Sequence, residues 1–298
     1  MDLKLRNHRK IVVADGRVAL VGGRNLGSEY YTGFDEARIA PGSPWRDVPW
    51  LDAGALVEGP AVAAVERAFL AAWLEAGGAA FAIAEPSAAG PSAVRVITHD
   101  GLRDARTLET YLDLVQGARS HVDVVNGFPL LLELQHALVR AVERGVRVRV
   151  LVGHVAPTWS GRHFEGAWPT ARSAATELVH SRLDPIVAAG GEAWLFAVRG
   201  VPGWAPELGV VHPHVHAKLV SVDGERCAIG SANLDVTSAY WESELMLVVE
   251  DAEHTRGLEA RIDEILAGSV RVRRDDAAWR ESARRRAWMR HWPGVLSI

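Results

Sequence analysis

Six residues of this chain recur at a single spacing. His8, Lys10, Asp15, Gly16, Gly22 and Asn25 return 208 positions later as His216, Lys218, Asp223, Gly224, Gly230 and Asn233. A duplicated unit constrains a fold more than any local propensity, so it is read first. Each copy has the same local plan. His-x-Lys opens an apolar run, Ile11-Val12-Val13-Ala14 in one copy and Leu219-Val220-Ser221-Val222 in the other. An Asp-Gly turn then leads into a returning strand, the signature of a hairpin. Strand residues two apart share a face, so His and Lys are expected side by side in each copy. Two such units packed about a pseudo-twofold axis would bring two imidazoles, two ammonium groups and two asparagines into one pocket.

A phosphodiester is the simplest substrate for that set. Lys10 and Lys218 would neutralise phosphoryl oxygens, and Asn25, Ser231 and Asn233 would donate hydrogen bonds to them. One histidine would attack phosphorus to give a phosphohistidine. The other would protonate the leaving oxygen, then activate water or an alcohol for the second step. No metal or other cofactor is expected. Of the 33 basic residues only Lys4, Lys10 and Lys218 are lysines. Two of the three stand at the motif positions, where a compact ammonium is called for rather than a planar guanidinium. Asp15 and Asp223 sit in turns that favour Asp-Gly and are read as structural. His212 and His214 share the face of His216 only if its strand begins that early. Asn126 reads as a strand-end cap, and Cys227, the single cysteine, as a small buried residue outside any disulfide framework.

The rest of the chain reads as an α/β protein. Val48 to Leu51 is expected to be a short strand, and Pro60 to open a helix running to Glu75 with Val62, Val65, Phe69 and Trp73 on its buried stripe. Residues 77–92 read as a loop and Val94 to Ile97 as a short strand. Helix at 107–118, strand at 122–125, helix at 129–144 and strand at 146–152 form a strand–helix–strand unit of a largely parallel sheet. Residues 153–175 read as a long loop holding Trp159, His163 and Trp168. A helix at 174–189, strands at 192–196, 225–229 and 245–249 and a helix at 253–266 complete the pattern.

Net charge is −4, which lacks the global basic character of many nucleic-acid binders. The C-terminal tail differs. From Arg271 onward, eight arginines face Asp275, Asp276 and Glu281, about +5 in all, with Trp279, Trp288 and Trp292 among them. That segment reads equally as a solvated helix packed on one face or as an interfacial helix drawn to anionic lipid. Trp159 and Trp168 would then border a lipid-accessible mouth. No apolar run is long enough to span a bilayer, and no secretory signal precedes the first motif.

The paired H-x-K-x4-D motifs resemble those of the phospholipase D superfamily. Asn7-His8-Arg9-Lys10-Ile11, Gly22-Gly23-Arg24-Asn25, Trp45-Arg46-Asp47, Glu58-Gly59-Pro60-Ala61-Val62 and Gly230-Ser231-Ala232-Asn233 followed by Glu244 are similar to its cardiolipin synthase branch. The resemblance implies a duplicated α-β-α sandwich, two repeats about a pseudo-twofold. The first repeat is incomplete here and the chain reads as a fragment of a longer one. Residues 1–105 would be the later part of the first repeat, 106–270 the second, and 271–298 the basic tail. The resemblance also implies that Asp47 and Glu244 orient the catalytic histidines, with a lean towards His8 as nucleophile. Glu242 stands where the family usually has asparagine. The implied activity is phosphatidyl transfer between phosphatidylglycerol molecules at a membrane surface, by a peripheral protein on the cytoplasmic face that needs no nucleic acid. The alternatives are phospholipase D-type or nuclease hydrolysis, and an inactive remnant or membrane-associated scaffold. Oligomeric state is not implied.

Overall fold

A computed structural model describes residues 6–291. In chain order it contains β1 (Ile11–Ala14), β2 (Val18–Gly22), α1 (Ser28–Tyr31), β3 (Gly54–Glu58), α2 (Ala61–Glu75), β4 (Ala93–His99), α3 (Arg106–Gln116), β5 (His121–Asn126), α4 (Leu132–Glu143) and β6 (Arg147–Val152). The short strands β7 (Thr158–Trp159) and β8 (Arg162–His163) follow, then α5 (Pro169–Ala189), β9 (Glu192–Leu195), β10 (Val198–Arg199) and β11 (Val210–His212). The second motif lies on β12 (Lys218–Val222) and β13 (Arg226–Gly230). Last come α6 (Val236–Tyr240), β14 (Glu244–Glu250), α7 (Ala252–Gly268), β15 (Val270–Val272) and α8 (Ala277–Arg285).

The strands form three sheets. β1-β2-β3 is a small antiparallel sheet carrying the first motif. The large sheet, ordered β15-β9-β6-β5-β12-β13-β14-β4, carries the second. β10-β11-β7-β8 is a peripheral sheet. The large sheet is mixed. Only the pairs β5–β6 and β6–β9 are parallel; β12, β13, β14, β4 and β15 pair antiparallel. The expected largely parallel sheet is thus confined to its strand–helix–strand portion, because the motif hairpin must turn back on itself. β4 precedes residue 105, yet it is the outer strand of the large sheet beside β14.

Alternation along the strands sorts the core into two layers. Val122, Val124, Val220, Val222, Ala228, Met246 and Val248 pack under α3, α4 and α5. Val125, Leu219, Cys227, Ile229, Leu245, Leu247 and Val249 face the other way, against Ala19, Val21 and Val57 of the small sheet and against α2 and α7. The small sheet therefore lies face-on over the large one. Its outer face holds the cross-strand row Val12, Leu20 and Leu56, all exposed. The row at the corresponding place on the large sheet, Val220, Ala228 and Val248, is buried.

Both Asp-Gly turns are left-handed at each residue. φ is 53° and 62° at Asp15 and Gly16, and 60° and 66° at Asp223 and Gly224. That is the conformation a two-residue turn needs to match the strand twist. The Asp223 carboxylate accepts from the backbone N–H groups of Arg119, Ser120 and His121, which holds its pKa down to about 2. Asp15 is exposed.

Several local expectations are corrected. Residues 48–51 form no strand. Trp45–Asp47 is a 3-10 turn, Pro49 removes a ladder donor, and Leu51 makes a single parallel bridge with Val215. On α2 the buried stripe is Val62, Ala63, Val65 and Ala68. Phe69 and Trp73 lie on its outer side, stacked on each other 6.1 Å apart. α5 starts at Pro169, suited to a first helical turn, so the expected loop is shorter and includes β7 and β8. Trp159 is buried, whereas Trp168 is 79% exposed. His212 belongs to β11 in the peripheral sheet, not to the strand after His216. Asn126 Oδ1 accepts from the Phe128 N–H, as a strand-end cap should. In the tail, Trp279 packs on His180 and on Arg286, and Arg286 is buried against Asp184 at 2.8 Å. Trp288 is exposed, and Trp292 and Lys4 lie outside the described residues.

Candidate active site

The two histidines lie just before their strands, each on a short strap that crosses to the other motif's territory. The strap Arg6-Asn7-His8 runs beside Glu242-Ser243-Glu244. His8 N–H donates to Ser243 O at 2.9 Å, and Ser243 N–H to Arg6 O at 2.9 Å. The strap His214-Val215-His216 runs beside Trp50-Leu51-Asp52 in the same way. His216 N–H donates to Leu51 O at 2.7 Å, and Leu51 N–H to His214 O at 3.0 Å. Each strap makes one parallel bridge, Asn7 with Ser243 and Val215 with Leu51.

This arrangement delivers a carboxylate to each ring. His8 Nδ1 is 2.8 Å from Glu244 Oε1, and His216 Nδ1 is 2.8 Å from Asp52 Oδ2. A carboxylate at Nδ1 selects the tautomer with the proton on that nitrogen and leaves the Nε2 lone pair for chemistry. Glu244 was expected to orient a histidine, and the structure puts it on His8. Asp47 was expected to do the same and does not. It is exposed at the end of the 3-10 turn, and Asp52 occupies the position. Each carboxylate is itself held. Glu244 is fully buried and accepts from Ser231 Oγ at 2.5 Å and from Ser238 Oγ at 2.6 Å. Asp52 Oδ1 accepts from the Ala53 N–H at 2.7 Å. Burial pushes the Asp52 carboxyl up, while the Lys218 charge opposes that shift.

Close approach here depends on glycine. Gly23 N–H donates to Ala53 O, as Ser231 N–H does to Leu245 O. A Cβ on Gly23 would run into Asp52 Oδ1 and would stand 3.0 Å from His216 O. At the matching place Ser231 carries a side chain, and its hydroxyl is spent on Glu244.

The lysines fold back on their own motifs. Lys10 Nζ donates to His8 O at 2.8 Å, and Lys218 Nζ to His216 O. Both ammonium groups are pushed down to about 8, chiefly by burial, although the nearby carboxylates Glu244 and Asp52 pull the other way. Burial, with Lys218 and Lys10 close by, also holds His216 well below the ordinary histidine range. A bound anion would relieve all three groups at once.

The remaining expected site residues separate. Asn233 Oδ1 is buried with no hydrogen-bond partner among the described residues; that oxygen is an acceptor, so any hydrogen bond to a phosphoryl oxygen would have to come from Nδ2. Asn25 is exposed, and its Nδ2 donates to the Tyr30 hydroxyl at 2.8 Å. Ser231 has its proton on Glu244, which makes it a support for the carboxylate rather than a free phosphate donor.

Sequence reading missed Asp52, Ser238, Tyr30 and Trp50. Tyr30 and Trp50 wall the site, with ring centroids 5.0 Å and 5.7 Å from His216. A signal for Asp52 existed in the strand count. It stands just before the third strand of its sheet, as Glu244 opens the third strand after its own motif.

The lysine shifts set opposed pH trends. If charged lysines bind the substrate, kcat/KM falls as pH rises through about 8. Stability moves the other way. The unfolded chain keeps these protons to about 10.5, so between 8 and 10.5 it binds more protons than the folded chain, and rising pH favours folding. Parallel profiles of kcat/KM and Tm should show wild-type Tm gaining on Lys218→Met over that interval while kcat/KM declines. A joint decline in both would indicate unfolding instead.

Among known proteins, the family model described as "Cardiolipin synthase, PLD-like domain" matches residues 111–266. The chain is 29% identical over 288 residues to cardiolipin synthase A of Pseudomonas aeruginosa, covering 95% of this chain and 50% of that protein. It is 24% identical over 282 residues to a probable cardiolipin synthase of Bacillus subtilis, covering 91% and 48%. The chain thus spans about half the length of the curated relatives it matches. Among solved structures, the phospholipase D family member Nuc from Salmonella typhimurium aligns with a TM-score of 0.44 and 16% identity, covering 61% of this chain and 99% of Nuc.

Proposed function

Because the chain belongs to the PLD-like family of cardiolipin synthases, we propose that it transfers a phosphatidyl group from one phosphatidylglycerol to the headgroup hydroxyl of another. The observation that carries this reading is the pair of imidazoles, each with a carboxylate 2.8 Å from Nδ1 and a lysine two residues on. The phosphodiester anion sits against Lys10 and Lys218, with the Asn233 amide as a further donor. One imidazole attacks phosphorus through Nε2. The bond from phosphorus to the glycerol oxygen breaks, and the other imidazole gives that oxygen its proton. Glycerol leaves, and a phosphatidyl–histidine remains. The second imidazole, now neutral, takes the proton of the incoming hydroxyl. That oxygen attacks phosphorus, the P–N bond breaks, and cardiolipin is released.

The proposed setting is the surface of an anionic membrane, with the protein peripheral on its cytoplasmic face. The exposed Trp168 and Trp288 suit such a surface. No helix among the described residues is long and apolar enough to cross a membrane. Residues 1–105 and 106–270 are read as the two repeats that supply one histidine each, and 271–298 as the tail.

Vesicles of labelled phosphatidylglycerol test the reading. The expected products are cardiolipin and free glycerol in equal amounts. Phosphatidic acid in place of cardiolipin would reassign the chain to hydrolysis. Nicked DNA with no lipid product would reassign it to a nuclease, and no reaction with either would end the enzyme reading.

A further inference from the structure

The two straps are fastened differently. Trp50 and His214 are neighbours across one strap, with ring centroids 4.6 Å apart in an edge contact. The residues in the same places on the other strap are Glu242 and Arg6. They form an ion pair, Arg6 Nε to Glu242 Oε1 at 2.5 Å. The pair is lopsided in burial, because the Glu242 side chain is 3% exposed and that of Arg6 is 58% exposed. The second oxygen of Glu242 lies 3.5 Å from His8 Nδ1, beside the 2.8 Å contact of Glu244. Glu242 therefore touches the strap at its start, through Arg6, and at its end, through His8. The backbone between them is tied to Ser243.

We propose that Glu242, clamped by Arg6, is a positioning residue for His8: it fixes the strap so that the His8 imidazole stays on Glu244 with Nε2 turned to the substrate. The inference rests on the reading of His8 and His216 as the reacting pair. A clamp matters on this side because, among the described residues, the backbone bond from Ser243 to Arg6 O is the other tie at the start of the strap. His216 is walled by Tyr30 and Trp50, whereas the His8 side chain is 22% exposed. The burial imbalance also sets the order of damage. Removing Glu242 frees the strap but strands only an arginine already in water, so the loss is that of positioning alone. Removing Arg6 leaves a buried carboxylate without its partner beside His8, which is the costlier loss.

A double-mutant cycle tests this. Arg6→Ala should lower kcat by ~10- to 100-fold with KM little changed, since a ring displaced by about 1 Å loses rate rather than binding. Glu242→Gln should cost less. The double variant should be no worse than Arg6→Ala alone, and Arg6→Lys should recover most of the rate. Multiplicative losses, an unchanged kcat, or losses confined to KM would overturn the clamp. A second readout needs no turnover. In Arg6→Ala, hydrogen exchange at the His8 amide should quicken by about tenfold or more, in line with local opening of that strap, while the His216 amide is unaffected. An unchanged His8 amide would overturn the clamp. If wild type processes no phosphodiester, the functional reading fails, and the exchange experiment still decides the clamp.

Discussion

Replacing either histidine by alanine lowers turnover of a natural phosphodiester by roughly four or more powers of ten, and replacing both costs no more than the worse single change. In the proposed mechanism the two rings act in one sequence of proton and phosphoryl transfers, so their effects should not multiply. The leaving group separates their roles. A nitrophenyl phosphodiester expels a stable anion that needs no proton. The variant lacking the acid should therefore regain the first step, read as a burst of nitrophenolate at a rate within about 100-fold of wild type, although its second step still lacks the base, while the variant lacking the nucleophile shows no burst. The resemblance to phospholipase D enzymes leads us to expect that acid-quenched, labelled adduct will be found on the peptide containing His8. Equal rescue of both variants, or of neither, would rule out a division of labour between the two imidazoles.

Asp52→Asn should lower kcat by roughly 10³-fold, and Asp47→Asn by less than about twofold. Asp52 fixes the His216 tautomer through its 2.8 Å contact with Nδ1. An amide there can present an N–H instead and favour the wrong ring proton. The change is nearly isosteric, so the fold should hold and KM should move little, because Asp52 is not placed to touch the substrate. Asp47 is exposed and touches neither histidine. Steady-state rates of the two variants decide the matter, and the reverse ranking would return the orienting role to Asp47.

How much of this was legible in the sequence follows from what the duplication preserved. The hairpins, their Asp-Gly turns, both histidines and both lysines keep one offset, so spacing alone located them. The orienting carboxylates do not keep it. Glu244 follows Gly230 by 14 residues, whereas Asp52 follows Gly22 by 30, because the stretch after α1 that holds the 3-10 turn is inserted there, while α1 itself keeps the offset as the counterpart of α6. Within that insertion Trp45-Arg46-Asp47 looked like the motif, although Asp52 is the one beside the third strand. Ser231 misled for another reason. Its position was right, but a hydroxyl has one proton, and only the packing shows that it goes to Glu244. The exposed side of α2 was misread because the stripe begun by Val62 and Val65 continues through Ala63 and Ala68 rather than through Phe69 and Trp73. Its aromatic residues were thereby left to stack on each other outside.

The exchange of carboxylates between straps couples two properties usually treated apart. His8 precedes the small sheet but is held by the first residue of β14 in the large one. His216 precedes a strand of the large sheet but is held by a residue next to β3 of the small one. Neither sheet supplies the carboxylate for its own motif histidine. A state in which both sheets are formed but not yet seated on each other would have correct hairpins, correct turns and two freely rotating rings. Catalytic competence would then arrive in a single event, the docking of the two layers. A partly assembled molecule would hold neither ring ready for chemistry.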